Sequence, residues 1–315
     1  ILIKEDNKNL SRSTNTKQRT MSSRRNHDIF FILCILCFVC EIAPQLIVNV
    51  KNRGGDIVVE SIQSNVTSDT ITLEFRNTDG SFITQFIDFK SVRNEAQIFR
   101  AYIPGEEERG QTPGFVQVIC FITRFPKNDF ISSDAMSKLR QKNPTAIRSP
   151  EEEKSQEVHA FDLLVDLNKS HVISPHVYNI CQEAKETTYF QENDLKSFGW
   201  DEKPRSHYTT LMSAMKKLTP IKYGRCAETS DVTKPCNCRY DVCIGWYPCG
   251  LKYCRGKDSS GKVVSYRCGI KTCKRCLAFD HFHDYLIIDK QDQQMFLMKI
   301  GKVIVQFYFV YCHIR

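Results

Sequence analysis

Nowhere in this 315-residue chain does the order of residues assemble a nucleophile, a base and an orienting group. It has no HExxH pattern, no GxSxG elbow and no glycine-rich loop of the kind that cradles phosphate. These absences point away from an enzyme, and no cofactor and no metal site are expected. Long apolar runs are missing too. The longest, Ile29 to Cys40, has twelve residues; as a helix it would reach only about 18 Å, against a bilayer core of roughly 30 Å. A second stretch, Val303 to Cys312, is broken by Gln306 and is also too short to span. No small-residue site with a polar spacer precedes it, so neither a stable membrane anchor nor a glycolipid anchor signal is expected. Cysteine is scarce between Gln45 and Pro204, where Cys120 and Cys181 stand alone. That region must fold by burying apolar surface rather than by cross-linking.

What is present begins with the short apolar run itself. It follows Met21 and the basic pair Arg24 and Arg25 and stops at Glu41, the layout of a secretory signal peptide. Residues 1–20 are polar and unpatterned and read as upstream translation, 21–44 as the signal, with the mature start between Glu41 and Gln45. Export implies an oxidising compartment and makes nucleic acid a poor partner. Cys34, Cys37 and Cys40 would leave with the signal, so 12 of the 15 cysteines remain. Nine of these lie between Cys226 and Cys276. The expected organisation is therefore two domains, residues 45–204 and a disulfide-rich 205–280, followed by a diverged, aberrant tail over 281–315. The formal net charge of +8 is concentrated in the second part, where Asp201 to Asp280 holds 16 Lys and Arg against 7 Asp and Glu. Such a basic face fits either an acidic glycan or anionic surface, or a merely soluble exterior.

The first region reads mainly as strands. Asp56 to Ile62 is a short β-type run, and Thr70 to Phe75 alternates apolar with polar residues. Asn77-Thr-Asp-Gly80 supplies a turn, and Phe82 to Phe89 returns as the other arm of a hairpin. Ile98 to Ile103 and Phe115 to Phe125 follow; the density of apolar residues around Cys120 suggests a central strand. Ser132 or Ser133 caps a helix through Lys142 that Asn143-Pro144 ends. Ser149 to Glu157 is polar and reads as a mobile loop, and Phe161 to Leu167 as a strand. Ser174-Pro175 opens a second helix with Val177, Ile180, Cys181 and Ala184 along one face. With no nearer partner, Cys120 and Cys181 are the preferred cross-link, and closing that loop would stabilise the fold by roughly 4 kcal/mol.

In the second region Cys236 and Cys238 point to the same side of an extended chain, so each should bond a different partner rather than each other. Cys226, Cys249, Cys254, Cys268 and Cys273 join the framework with partners left open. Zinc competes for such spacings, but exported thiols pair instead. Cys273-Lys-Arg-Cys276 has the spacing of a thiol oxidoreductase without the βαβ setting, and His281-Phe-His283 lacks further ligands. Trp246, Tyr247 and Tyr253 are read as aromatic cover for disulfides in a small core. The sequons Asn65-Val-Thr67 and Asn168-Lys-Ser170 are candidate glycan sites.

Four motifs carry a family resemblance: Asp134 to Pro144 (DAMSKLRQKNP), Lys234 to Cys238 (KPCNC), Gly245 to Cys254 (GWYPCGLKYC) and Tyr266 to Cys273 (YRCGIKTC). Together they make residues 46–280 similar to the Out at first family of secreted animal proteins. That resemblance implies an α+β fold, with a BRICHOS-like small sheet and two helices followed by a small disulfide-rich domain. Asp88, Cys120 and Cys181 look like the carboxylate and bonded cysteines of a BRICHOS domain. Asp88 then stands either as a buried carboxylate or as an outward-facing strand residue. Cys243 and Cys276 are not positions associated with the family, and the cysteine and acidic tail that usually close it are missing here. The implied activity is chaperone-like binding of extended apolar peptide or protein clients, with Ser149 to Glu157 as the loop that opens. The alternative is a signalling or matrix factor that grips a receptor or acidic glycan through Lys252, Arg255, Lys257, Arg267 and Lys271.

Overall fold

The computed structural model describes residues 45–283, apart from 53, 91–95, 105–115, 127–128, 200–204, 219–223 and 229–234. The signal peptide, the upstream stretch and most of the tail, Val303 to Cys312 included, lie outside the described residues. The chain is mostly β rather than α+β, which overturns the expected small sheet with two helices. Its centre is a ten-stranded sheet. Strands β1 (Gln45–Lys51), β2 (Ile57–Asn65), β3 (Thr70–Arg76), β4 (Phe82–Asp88), β5 (Ala96–Pro104) and β6 (Val116–Arg124) run as an antiparallel meander. Connections of four or five residues from β1 to β4 make that pairing local. In the β3–β4 turn Gly80 takes a φ of 81°, open to glycine without a Cβ penalty, and its N–H donates to the Asn77 carbonyl.

The helices are shorter than the sequence pattern implied. The first, α1 (Ser133–Ser137), is capped by Ser132, whose Oγ accepts from the Ala135 N–H. It stops well before Pro144. The remaining elements of the first region are β7 (Ile147–Arg148), β8 (Glu152–Glu153), β9 (Glu157–Ala160), β10 (Leu163–Val165), α2 (Val177–Cys181), β11 (Thr188–Phe190), α3 (Glu192–Gly199), α4 (Arg205–Ser213) and β12 (Met215–Lys217). Short 3₁₀ turns lie at Leu167–Val172 and on the C-terminal side of α2. Sheet order is β12-β10-β11-β6-β5-β4-β3-β2-β1-β7, with β11 parallel to β6 and β7 parallel to β1. Among the described residues no helix is long and apolar enough to cross a membrane.

The cysteine-rich part is not a compact knot. It is one long antiparallel hairpin, β13 (Cys236–Lys257) with β14 (Val263–His283), whose turn is held by Asp258 and by Gly261 at φ 79°. The expected mobile loop is instead paired to it: β8 and β9 run parallel to β14. Charge explains why this polar stretch is ordered. Glu151, Glu152 and Glu153 form ion pairs with Lys252, Lys271 and Lys274.

Alternation on β6 shows how the layers stack. Ile119 and Phe121 are buried on one face with Tyr240, Val242, Trp246, Leu277 and Phe279 of the hairpin. Cys120 and Ile122 face the other way, among Leu167, Val177, Cys181, Ala184, Leu195 and Leu211 of the short helices and turns. Both faces of the strand are therefore buried, which is what its continuous apolar run requires. The boundary expected near residue 204 is not a boundary in packing: sheet and hairpin share one core.

Candidate functional site

The base of the hairpin is seated by a bulge. Register slips between Ile244 and Tyr247, so Gly245 and Trp246 fall outside the ladder and their N–H groups need other acceptors. Glu60 on β2 supplies both. Its Oε1 accepts from Gly245 N at 2.7 Å and its Oε2 from Trp246 N at 3.1 Å. Burial pushes the Glu60 carboxyl up to about 8, the two backbone donors only partly opposing this. A Cβ on Gly245 would meet Val50 Cγ2 at 3.0 Å and Glu60 Oε1 at 3.1 Å, so the close approach depends on glycine. Glu60 was missed as a functional residue. The signal was available: strand alternation puts it on the face of Val58 and Ile62.

A second anchor is Arg275, which is 4 % exposed and reaches Asp129 with Nη1 and Glu157 Oε2 with Nη2, the latter at 2.6 Å. Lys154 also pairs with Asp129. Tyr247, stacked on Phe130, is buried beside this group and its hydroxyl is pushed up by desolvation. Arg275 sits between Cys273 and Cys276, which turn to different strand partners rather than to each other. The oxidoreductase spacing of that segment therefore corresponds to no shared disulfide.

The cysteines are joined as follows. Cys120 and Cys181 form a disulfide with Cα atoms 5.9 Å apart, linking β6 to the end of α2. Across the hairpin, Cys243 bonds Cys276, Cys249 bonds Cys273 and Cys254 bonds Cys268, so three rungs are cross-linked. Cys226 lies against both Cys236 and Cys238. The two cysteines of the KPCNC motif thus converge on one partner, where separate partners were expected.

Asp88 is buried rather than outward-facing, 1 % exposed at the end of β4. Its Oδ2 accepts from Ser174 Oγ at 2.6 Å and its Oδ1 from Lys90 N at 2.9 Å. It ties the sheet to the entry of α2. Both sequon asparagines are exposed. Asn65 Oδ1 accepts from the Thr67 and Ser68 N–H groups, whereas Ser170, the hydroxyl of the other sequon, is fully buried and donates to the Leu167 carbonyl. His281 is buried against Phe121 and Tyr189.

Beyond its buried base the hairpin becomes exposed. Directly opposed residues share a face, so the pairs Tyr253 with Arg267, Arg255 with Ser265 and Lys257 with Val263 place three cations on one side. Tyr253 is 64 % and Val263 62 % exposed there. Among the described residues none of Arg255, Lys257, Lys262 and Arg267 pairs with a carboxylate. The five-residue patch expected from sequence thus divides. Lys252 and Lys271 are neutralised by Glu151 and Glu152, while Arg255, Lys257 and Arg267 present open charge at the tip.

Comparison with known proteins follows the same two regions. Residues 44–198 match the family model described as Out at first, and 225–291 match Out at first, C-terminal. The chain belongs to the Out at first family. It is 49 % identical over 264 residues to an Out at first protein of Drosophila virilis, covering 81 % of this chain and 84 % of that one. To an Out at first protein of Drosophila melanogaster it is 48 % identical over 266 residues, 81 % of this chain but only 53 % of that longer relative. No solved structure matches the chain.

Proposed function

We propose that this member of the Out at first family is a non-enzymatic extracellular interaction protein whose hairpin tip binds an acidic glycan. The observation that carries this reading is the strip of Arg255, Lys257 and Arg267 beside Tyr253, exposed and without carboxylate partners among the described residues. Guanidinium groups offer forked donors to sulfate or carboxylate, and a tyrosine flank suits the apolar face of a sugar ring. Cross-linking at Cys254–Cys268 stiffens the ribbon within the strip, so fewer degrees of freedom are lost on binding. Disulfides at four further places support residence in an oxidising compartment, as an exported protein has.

Client binding by an opening loop has less support. Its candidate loop, Ser149 to Glu157, is strand-paired to β14 and held by three lysines. Heparin chromatography separates these readings. Neutralising Arg255, Lys257 and Arg267 together should lower the salt concentration needed for elution strongly, while neutralising Lys252 and Lys271 should lower it little. Equal elution of the parent and the triple variant would refute the glycan reading.

A further inference from the structure

The described residues hold eleven bonded or clustered cysteines, and eight of them fall into four separate pairs. The remaining three, Cys226, Cys236 and Cys238, bring their sulfurs within 4.8 Å of one another. The backbone explains the convergence. Arg225 bridges Asn237 in parallel, and the Asn237 N–H donates to the Gly224 carbonyl. Cys236 and Cys238 flank Asn237 and, two apart on a strand, face the same way, so both meet Cys226. Cα separations of 4.9 Å and 5.4 Å allow Cys226 a disulfide with either. Within the triad two sulfurs can bond, so among the described residues one is left over.

We infer that this triad is a thiol–disulfide exchange site, with Cys226–Cys236 as the resting bond and Cys238 as the reactive thiol. Burial selects the arrangement. Cys236 is 7 % exposed, whereas Cys238 is half-buried, and a thiolate is disfavoured where water is excluded. Inside the triad the Cys238 thiolate attacks Sγ of Cys226. A Cys226–Cys238 bond forms, the Cys226–Cys236 bond breaks, and its electron pair leaves on Cys236; no net oxidation occurs. Outward, the same thiolate attacks a disulfide of a second molecule. It forms a mixed disulfide at Cys238 and releases the other half as a thiolate, which takes a proton from water. The ligand class is therefore an accessible disulfide, and the product is a reversible covalent attachment beside the start of the hairpin.

Full-length secreted protein, treated with N-ethylmaleimide under native conditions and digested without reduction, tests this. One maleimide per triad is expected, on Cys238, with the Cys226–Cys236 peptide pair intact. Glutathione disulfide used as the probe should place one glutathione on the same residue. In Cys238→Ser both adducts should vanish while the Cys226–Cys236 bond survives, which separates loss of the thiol from loss of the fold. A triad without label whose Cys238 is cross-linked to Cys312 would overturn the inference. So would release of one equivalent of zinc before all three cysteines label, or label confined to Cys236.

Discussion

Glu60 decides how the hairpin is held, because it is the acceptor for two amides that the bulge has removed from the ladder. Its folded-state value near 8 lies above the ordinary 4.5, so the folded chain binds the extra proton more tightly than the unfolded one. The stability this contributes is complete below pH 4.5 and is lost as pH rises through 8. The difference in unfolding free energy between the parent and Glu60→Gln should therefore change with pH across that window, by about 5 kcal/mol at most. Chemical denaturation at several pH values measures it; a difference independent of pH would show that the carboxyl does not titrate there. Arg275 supplies the second residue-scale test. Arg275→Ala strips the guanidinium from Asp129, which keeps Lys154, and should cost about 2 to 3 kcal/mol, read from the denaturation midpoint. Neither residue stands out by type in the sequence. Glu60 is legible only from strand alternation, and Arg275 not at all, since its partners are 146 and 118 positions away.

Elements built from local contacts were the readable ones. The β3–β4 hairpin follows from alternation on both sides of Asn77-Thr-Asp-Gly80, and β6 from an apolar run that only a doubly covered strand accommodates. Helices read worse. Lys138 to Lys142 have the composition of a helix, yet Gln141 leaves it to bond across to Ile47 of β1, through both its amide oxygen and its amide nitrogen. Tertiary pairing outweighs a propensity worth only tenths of a kcal/mol per residue. Ser149 to Glu157 reads as a loop because its glutamates look solvated until Lys252 of β13 and Lys271 and Lys274 of β14 are placed against them. The disulfide between β6 and α2 belongs to this scale as well. Removing it with Cys120→Ala and Cys181→Ala frees a 61-residue separation and should lower stability by roughly 4 kcal/mol. Thermal unfolding of the double variant checks this, and an unchanged midpoint would contradict it.

At the scale of the whole molecule, composition misled most. Nine closely spaced cysteines suggested a separate, cross-linked domain, because a short segment with little core usually needs such staples. The hairpin instead borrows its core from the sheet: Trp246, Tyr247, Leu277 and Phe279 pack with Phe99, Phe121 and Phe161. Its disulfides keep the two arms in register out to a tip that has no core of its own. This gives the cationic strip a firm footing and leaves its charges in water. Amide hydrogen exchange of the intact, oxidised protein tests that arrangement most directly. Amides of residues 240–249 and 272–279 should exchange as slowly as those of β5 and β6, while 253–267 exchange much faster. A hairpin base that exchanges as fast as its tip, and independently of the sheet, would contradict the shared core.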